Sequence, residues 1–384
     1  MAGSYFDHNA TTPVDPRVRE AMLPWIGDQF GNPSSIHAFG QAAREAVERA
    51  REQVATLLDA SPVEIVFTAT GTEANNAVIR GCSRSGSTSG HLVVSAMDHP
   101  SVAAVATDLE SSGFDISWIA PDANGRIDPD RLAAAIKPDT SLVCLALANN
   151  IIGTIQPVEK VARFCRKARV PILCDAVQAI GKIPVSVTDL GVDFLSLGAH
   201  KFYGPLGAAA LWIRKGVELN PYLLGGSQER HRRAGTVNVP AIVGMGEAAE
   251  LAQAELETRS AHLLSLRDRL ETGFQEIGDI VIHGKAVERL PNTTHVALKD
   301  IDAQSLLIRL DLAGFAVSAG SACSSGTVEP SPALLAMGVT PHEALSSLRI
   351  SLGSGNTEDE VDRFLVVLAR EVAALRQLAT RTSV

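Results

Sequence analysis

The chain has 384 residues, a formal net charge of −9 and a sequence pI near 5.6, so it lacks the basic footprint of a nucleic-acid-binding surface. With 46% hydrophobic and 20% charged residues it has enough apolar material for a large core, and its length allows two or three domains at about 150 residues each. No apolar stretch approaches the ~20 residues of a spanning helix, and five cysteines without a CxxC pair point to free thiols in a reducing compartment, the cytoplasm.

The opening residues, MAGSYFDHNATT, have neither a basic nor an apolar leader region, so secretion is not expected. Gln41–Asp59 is an amphipathic helix with Ala43, Val47, Val54 and Leu58 facing inward. Short apolar runs follow at Glu64–Phe67, Leu92–Ser95, Ile116–Ile119, Leu142–Leu147, Ile172–Cys174, Asp193–Ser196 and Ala208–Ile213. Helical segments separate most of them: Thr72–Arg80, Ser101–Ser112, Pro129–Ile136 and Val158–Ala168. Apolar strands alternating with helices predict an α/β domain with a mostly parallel seven-stranded sheet covered on both faces. Ser83–Gly90 reads as a surface loop, and Leu219–Pro240 lapses into Gly, Arg and Gln. One long helix is expected over Ala241–Ile277. After it come a strand at Asn292–Ala297, a helix at Ala303–Asp311, a strand at Ala316–Ser318, a Ser/Gly-rich loop and a last helix near Thr357–Ala379. The expected division is a large domain over 15–256 and a smaller α+β domain built from 1–14 and 257–384.

Several residues stand where chemistry is done in such sheets, just past the C-terminal ends of strands. Thr72 opens a helix after a strand, where backbone amides favour an anion, although it also suits a plain cap. His99 precedes a helix with Pro100 at its start and either stacks on a ring-shaped ligand or is a helix-terminus histidine with no role. Asn149 and Asn150 follow another strand, as carboxylate or ring contacts or as turn formers. Asp175 ends a strand with Gln178 three residues on; it either pairs with a protonated pyridine nitrogen or caps the next helix. Lys201, preceded by His200, follows a strand by five residues and is either a surface lysine or an imine-forming one. Cys323 sits among Gly and Ser in GSACSSG, a context that gives a nucleophile access, whereas Cys82, Cys144, Cys165 and Cys174 lie in helical or apolar runs. Arg349 lies on an alternating segment and carries a fork suited to a carboxylate, or to a surface ion pair. No histidine shows metal-ligand spacing.

Taken together these segments resemble the cysteine desulfurase family, the NifS/IscS-like group of fold-type I pyridoxal-phosphate enzymes. The resemblance runs through YFDHNATTPVDPRV, FGNPSSIHAFG at Phe30–Gly40, GTEANN at Gly71–Asn76, DHPSV at Asp98–Val102 and NN at Asn149–Asn150. It continues through DAVQ at Asp175–Gln178, HKFYGP at His200–Pro205, GGSQERHRRAGT at Gly225–Thr236, GSACSSG at Gly320–Gly326 and SLRISLG at Ser347–Gly353. It implies that pyridoxal 5'-phosphate is held covalently by Lys201, paired at its nitrogen by Asp175, touched at its ring oxygen by Gln178 and stacked by His99. It further implies phosphate contacts from Thr72 and His200, and from Thr236 toward a second subunit of a homodimer. Asn149 and Arg349 would hold the carboxylate of L-cysteine, and Cys323 would take its sulfur as a persulfide for a scaffold or carrier protein. The chain departs from the family pattern at Ile151, Gly198, Leu206, Ala234, Leu345 and Ser354. A pyridoxal-phosphate lyase acting on selenocysteine or cystine, and a weakly active sulfur-trafficking partner, are the alternative readings.

Overall fold

The computed structural model describes residues 3–83, 90–319, 322–324 and 327–382. The first strand, β1 (Ser4–Tyr5), lies outside the main sheet. That sheet comprises β2 (Ile65–Thr68), β3 (His91–Ser95), β4 (Asp115–Ile119), β5 (Thr140–Ala146), β6 (Ile172–Asp175), β7 (Phe194–Gly198) and β8 (Ala209–Ile213). Its seven strands run in the order β2-β8-β7-β6-β5-β3-β4. Only β8 pairs antiparallel, with β2 on one side and β7 on the other; the other pairings are parallel.

The continuous apolar runs have a direct cause. Every residue of β2, β3, β6, β7 and β8 is buried, because helices cover both faces. Alternate residues feed opposite cores. Val93, Val143 and Leu145 pack with Val47, Val54 and Met245 on one face. Leu92, Val94, Leu142 and Cys144 pack with Val78, Ile79 and Val105 on the other. Only the edge strand β4 shows exposed positions, as an edge should.

The second part of the chain builds its own antiparallel sheet from β9 (Ile280–Ile282), β10 (Thr293–Leu298), β12 (Ser318–Ala319) and β15 (Ser347–Ser351), ordered β12-β15-β10-β9. Helices Leu256–Ile277, Ala303–Leu312 and Glu358–Thr382 supply its core, where Leu270, Phe274, Val296, Leu306, Ile350 and Phe364 meet. Phe6 joins that core from the far end of the sequence. No described helix is long and apolar enough to cross a membrane.

Three expectations need correction. The single helix over 241–277 is two helices, Val239–Ala254 and Leu256–Ile277, separated at Glu255 with φ −109° and ψ 7°. The first is buried nearly all round against the large sheet, whereas the second buries one stripe, Leu263, Leu266, Leu270 and Phe274, in the other core. One straight rod cannot serve both cores, and the Glu255 carboxylate ties the joint to Arg259 and Arg17. The strand at 316–318 also splits. Phe315–Ala316 forms β11, parallel to β1, while Ser318–Ala319 joins β15. Within the Ser/Gly-rich stretch the backbone makes a short hairpin, β13 (Ala322–Ser324) against β14 (Thr327–Glu329).

Candidate active site

Five strand ends of the large sheet open into one cavity of about 420 Å³. It is lined by Thr72, His99, Asn149, Asp175, Gln178, His200, Lys201 and Arg349, so eight of the ten predicted site residues meet there. Thr236 does not. It lies exposed in a separate cleft with Asn32, Ser34 and Gln228. The side chain of Cys323 is outside the described residues.

Lys201 reaches the cavity from the turn after β7. Its Nζ donates to the carbonyls of Asn9 and Ala10, each at 2.6 Å. Burial, then the Arg349 charge, pushes its pKa down to about 8, against a partial offset from Asp7 and Asp175. At pH 7 an amine with a pKa near 8 is about one-tenth free, against well under a thousandth for an ordinary lysine, and the free amine is what imine formation requires.

Asp175 closes β6 and is aimed by two donors. Asn75 Nδ2 donates to Oδ2 at 2.9 Å and the Val177 amide to Oδ1 at 3.0 Å. The same Asn75 amide group donates to Ser101 Oγ at 2.9 Å. Ser101 in turn meets His99, whose Nδ1 accepts the Ser101 N–H at 3.1 Å and lies 2.9 Å from its hydroxyl. With Nδ1 an acceptor, the proton of the neutral ring resides on Nε2. Burial and Lys201 favour that neutral form, outweighing Asp175. Asn75 therefore orients both the carboxylate and, through Ser101, the imidazole.

Thr72 stands in the first turn of helix Gly71–Ser83. Thr70 Oγ1 accepts the Glu73 amide at 3.0 Å, and the Ala74 amide bonds to Thr70 O. The amides of Gly71 and Thr72 have no protein acceptor among the described residues, so they are available to an anion. His200 Nδ1 sits 3.1 Å from Thr11 Oγ1, and burial beside Lys201 drops its pKa to about 4. A Cβ on Gly198 would lie 3.6 Å from the His200 ring, an ordinary contact, so a side chain there is sterically admissible.

Asn149 lines the cavity, yet most of its bonding capacity serves the turn. Its Oδ1 accepts the amides of Ile151 and Ile152 at 2.9 and 3.0 Å, and Nδ2 donates to Met97 O at 2.9 Å. The turn role is thus real, leaving one N–H for any ligand. Arg349 on β15 is no surface residue. Nη2 pairs with Asp7 at 2.7 Å, Nη1 donates to Asn150 O at 3.2 Å, and Nε is buried without a partner.

Residues 4–364 match the model of the aminotransferase class-V family. The chain is 45% identical over 380 residues to the cysteine desulfurase IscS of Methanosarcina thermophila, covering 98% of this chain and 94% of that one. It is 43% identical over 380 residues to the cysteine desulfurase of Trichormus azollae, covering 99% and 95%. The chain belongs to the cysteine desulfurases of the aminotransferase class-V family. A solved NIFS-like protein superposes on this class-V chain with a TM-score of 0.91 at 38% identity, covering 97% of this chain and 99% of that one. Class-V enzymes of this branch depend on pyridoxal phosphate. The donor set fits that group: a lysine with depressed pKa, an oriented carboxylate and free helix-start amides in one cavity.

Asn9, Asn75, Ser101 and Lys182 went unassigned in the sequence although each lies in or beside a motif. One signal was readable. Asn75 falls on the apolar side of its helix with Ala74, Val78 and Ile79, all buried. A polar residue on that stripe needs a partner.

Proposed function

We propose that this chain converts L-cysteine to L-alanine with pyridoxal phosphate as cofactor and takes the sulfur onto Cys323. The convergence of Lys201, Asp175, His99 and Arg349 on one cavity supports the reading above all else. Lys201 would hold the cofactor aldehyde, Asp175 its ring nitrogen, Gln178 its ring oxygen, and the Gly71–Thr72 amides with His200 its phosphate. Bound there, the group supplies the electron sink that makes the α-proton of an amino acid removable. Arg349 would hold the substrate carboxylate from the cavity wall, its guanidinium oriented by Asp7 and the Asn150 carbonyl. Lys201 Nζ carries the proton at the substrate α-carbon, and the Nε2 proton of His99 is available near the sulfur. The Cys323 thiolate forms an S–S bond as the substrate C–S bond breaks. The carbon fragment leaves as alanine after gaining a proton, so one thiol plus cysteine becomes one persulfide plus alanine.

We place this activity in a reducing compartment, in a homodimer in which Thr236 serves the cavity of a second copy. The persulfide then passes to an acceptor protein, as in iron–sulfur cluster assembly. The deciding experiment is mass analysis after addition of L-cysteine. The expected result is one extra sulfur localised to Cys323 and one alanine formed per persulfide. Sulfide release with no protein-bound sulfur would instead identify a lyase.

The Lys201 environment carries a pH prediction. The depressed pKa means that the folded amine is free above about 8, whereas an unperturbed lysine stays protonated to 10.5. Capture of pyridoxal phosphate by the apoprotein should accelerate with rising pH and level off above a midpoint near 8. Stopped-flow absorbance checks this; a midpoint near that of ordinary lysine, about 10, would refute the environment described.

A further inference from the structure

Lys182 is a buried lysine, 5% exposed, that does not line the cavity and forms no ion pair among the described residues. Lysines are seldom buried without a reason. Its Nζ donates to Gln178 Oε1 at 2.8 Å and to Asn9 Oδ1 at 3.3 Å. Both acceptors lead to the site. Gln178 Nε2 donates to the Asn9 carbonyl at 2.9 Å, and that same carbonyl receives Lys201 Nζ at 2.6 Å.

These contacts fix the Gln178 amide from both ends. Lys182 Nζ donates to the amide oxygen, which therefore faces it. A backbone carbonyl only accepts, so the amide nitrogen faces Asn9. Gln178 lines the cavity, and with its oxygen turned to Lys182 the donor it has left to offer is the second N–H of Nε2. Turned the other way, it would present an oxygen lone pair to an anionic ring oxygen.

Resting on the functional reading above, we propose that Lys182 is a positioning residue that locks the Gln178 amide as a donor toward the cofactor ring oxygen and seats Asn9 beneath Lys201. The charges facing Lys182 agree. Burial, Lys201 and Arg349 all disfavour its ammonium form, and its own field reaches His8 and His200. A neutral amine has two N–H bonds, which match the two acceptors present.

The test is a pH titration of the visible absorption of holoenzyme reconstituted with pyridoxal phosphate. A donor at the ring oxygen makes the bound chromophore a weaker base, so losing it moves the midpoint to higher pH. Lys182→Met and Gln178→Leu are each expected to raise the midpoint by about one pH unit. The double variant should show no further rise, because the two residues act as one unit. An unchanged or lowered midpoint in Lys182→Met, or additive shifts in the double variant, overturns the proposal. Should Lys182→Met not fold, Lys182→Ala frees the same amide and is scored identically. Absence of a visible band in the unsubstituted protein would defeat the functional reading instead, so the two failures are distinguishable.

Discussion

Replacing Lys201 with alanine is expected to remove the visible band of protein-bound pyridoxal phosphate after gel filtration and to lower alanine formation by at least about 10³-fold. The expectation follows from how few amines can serve. Lys201 Nζ is inside the cavity, held only by two carbonyls, with a pKa near 8. The other nearby amine, Lys182, is engaged by Gln178 and Asn9 and lies outside the cavity lining. It cannot take over without breaking the contacts that organise the site. A Lys201→Ala protein that kept a tenth of the original turnover would assign the chemistry to another group. The variant should otherwise fold normally, since the remaining strand-end residues do not depend on the lost amine for a partner.

The second large effect is at Cys323. Cys323→Ala should retain the cofactor band and bind L-cysteine, yet accumulate no protein-bound sulfur and form alanine only at background. Four of the five cysteines are ruled out as substitutes by their surroundings. Cys144 and Cys174 lie at 0% exposure within β5 and β6, and burial pushes their thiols well above the ordinary range. Cys82 and Cys165 sit on helices, and burial raises each to about 12. A thiol with such a pKa supplies almost no thiolate near pH 7. Mass mapping of the variant checks the prediction. Sulfur found on any of these four would contradict the burial argument. Undiminished cysteine turnover with free sulfide would move the enzyme to the lyase class.

The parts legible in sequence were those written in local pattern. Unbroken apolar runs announced strands covered on both faces, and the residues just past their ends, His99, Asn149, Asp175 and Lys201, meet in one cavity because parallel strands all end on one edge. What escaped was set by partners far away in the chain. Asn75 matters through Asp175, 100 positions on, and Asn9 through Lys182 and Thr293, 173 and 284 positions on. No spacing rule reports such pairings. The break at Glu255 was hidden for another reason. Glutamate is a good helix former, and the turn there is imposed by two separate cores, not by local propensity. Arg349 read equally well as a surface charge until its pairing with Asp7 was visible.

The placement of the first dozen residues bears on how the protein is made. β1 pairs with β11, Asp7 bridges to Ser351, and the Asn9 amide bonds to Ser351 Oγ at 2.9 Å across 342 positions. A ribosome must therefore deliver nearly the whole polypeptide before Asn9 reaches its seat. Nascent chains stalled ahead of Ser351 would present the reactive amine without its carbonyl cradle. The carbonyls that receive Lys201 Nζ are thus seated only once residue 351 is in place, so the most local-looking contact of the cavity is among the last that the growing polypeptide can complete.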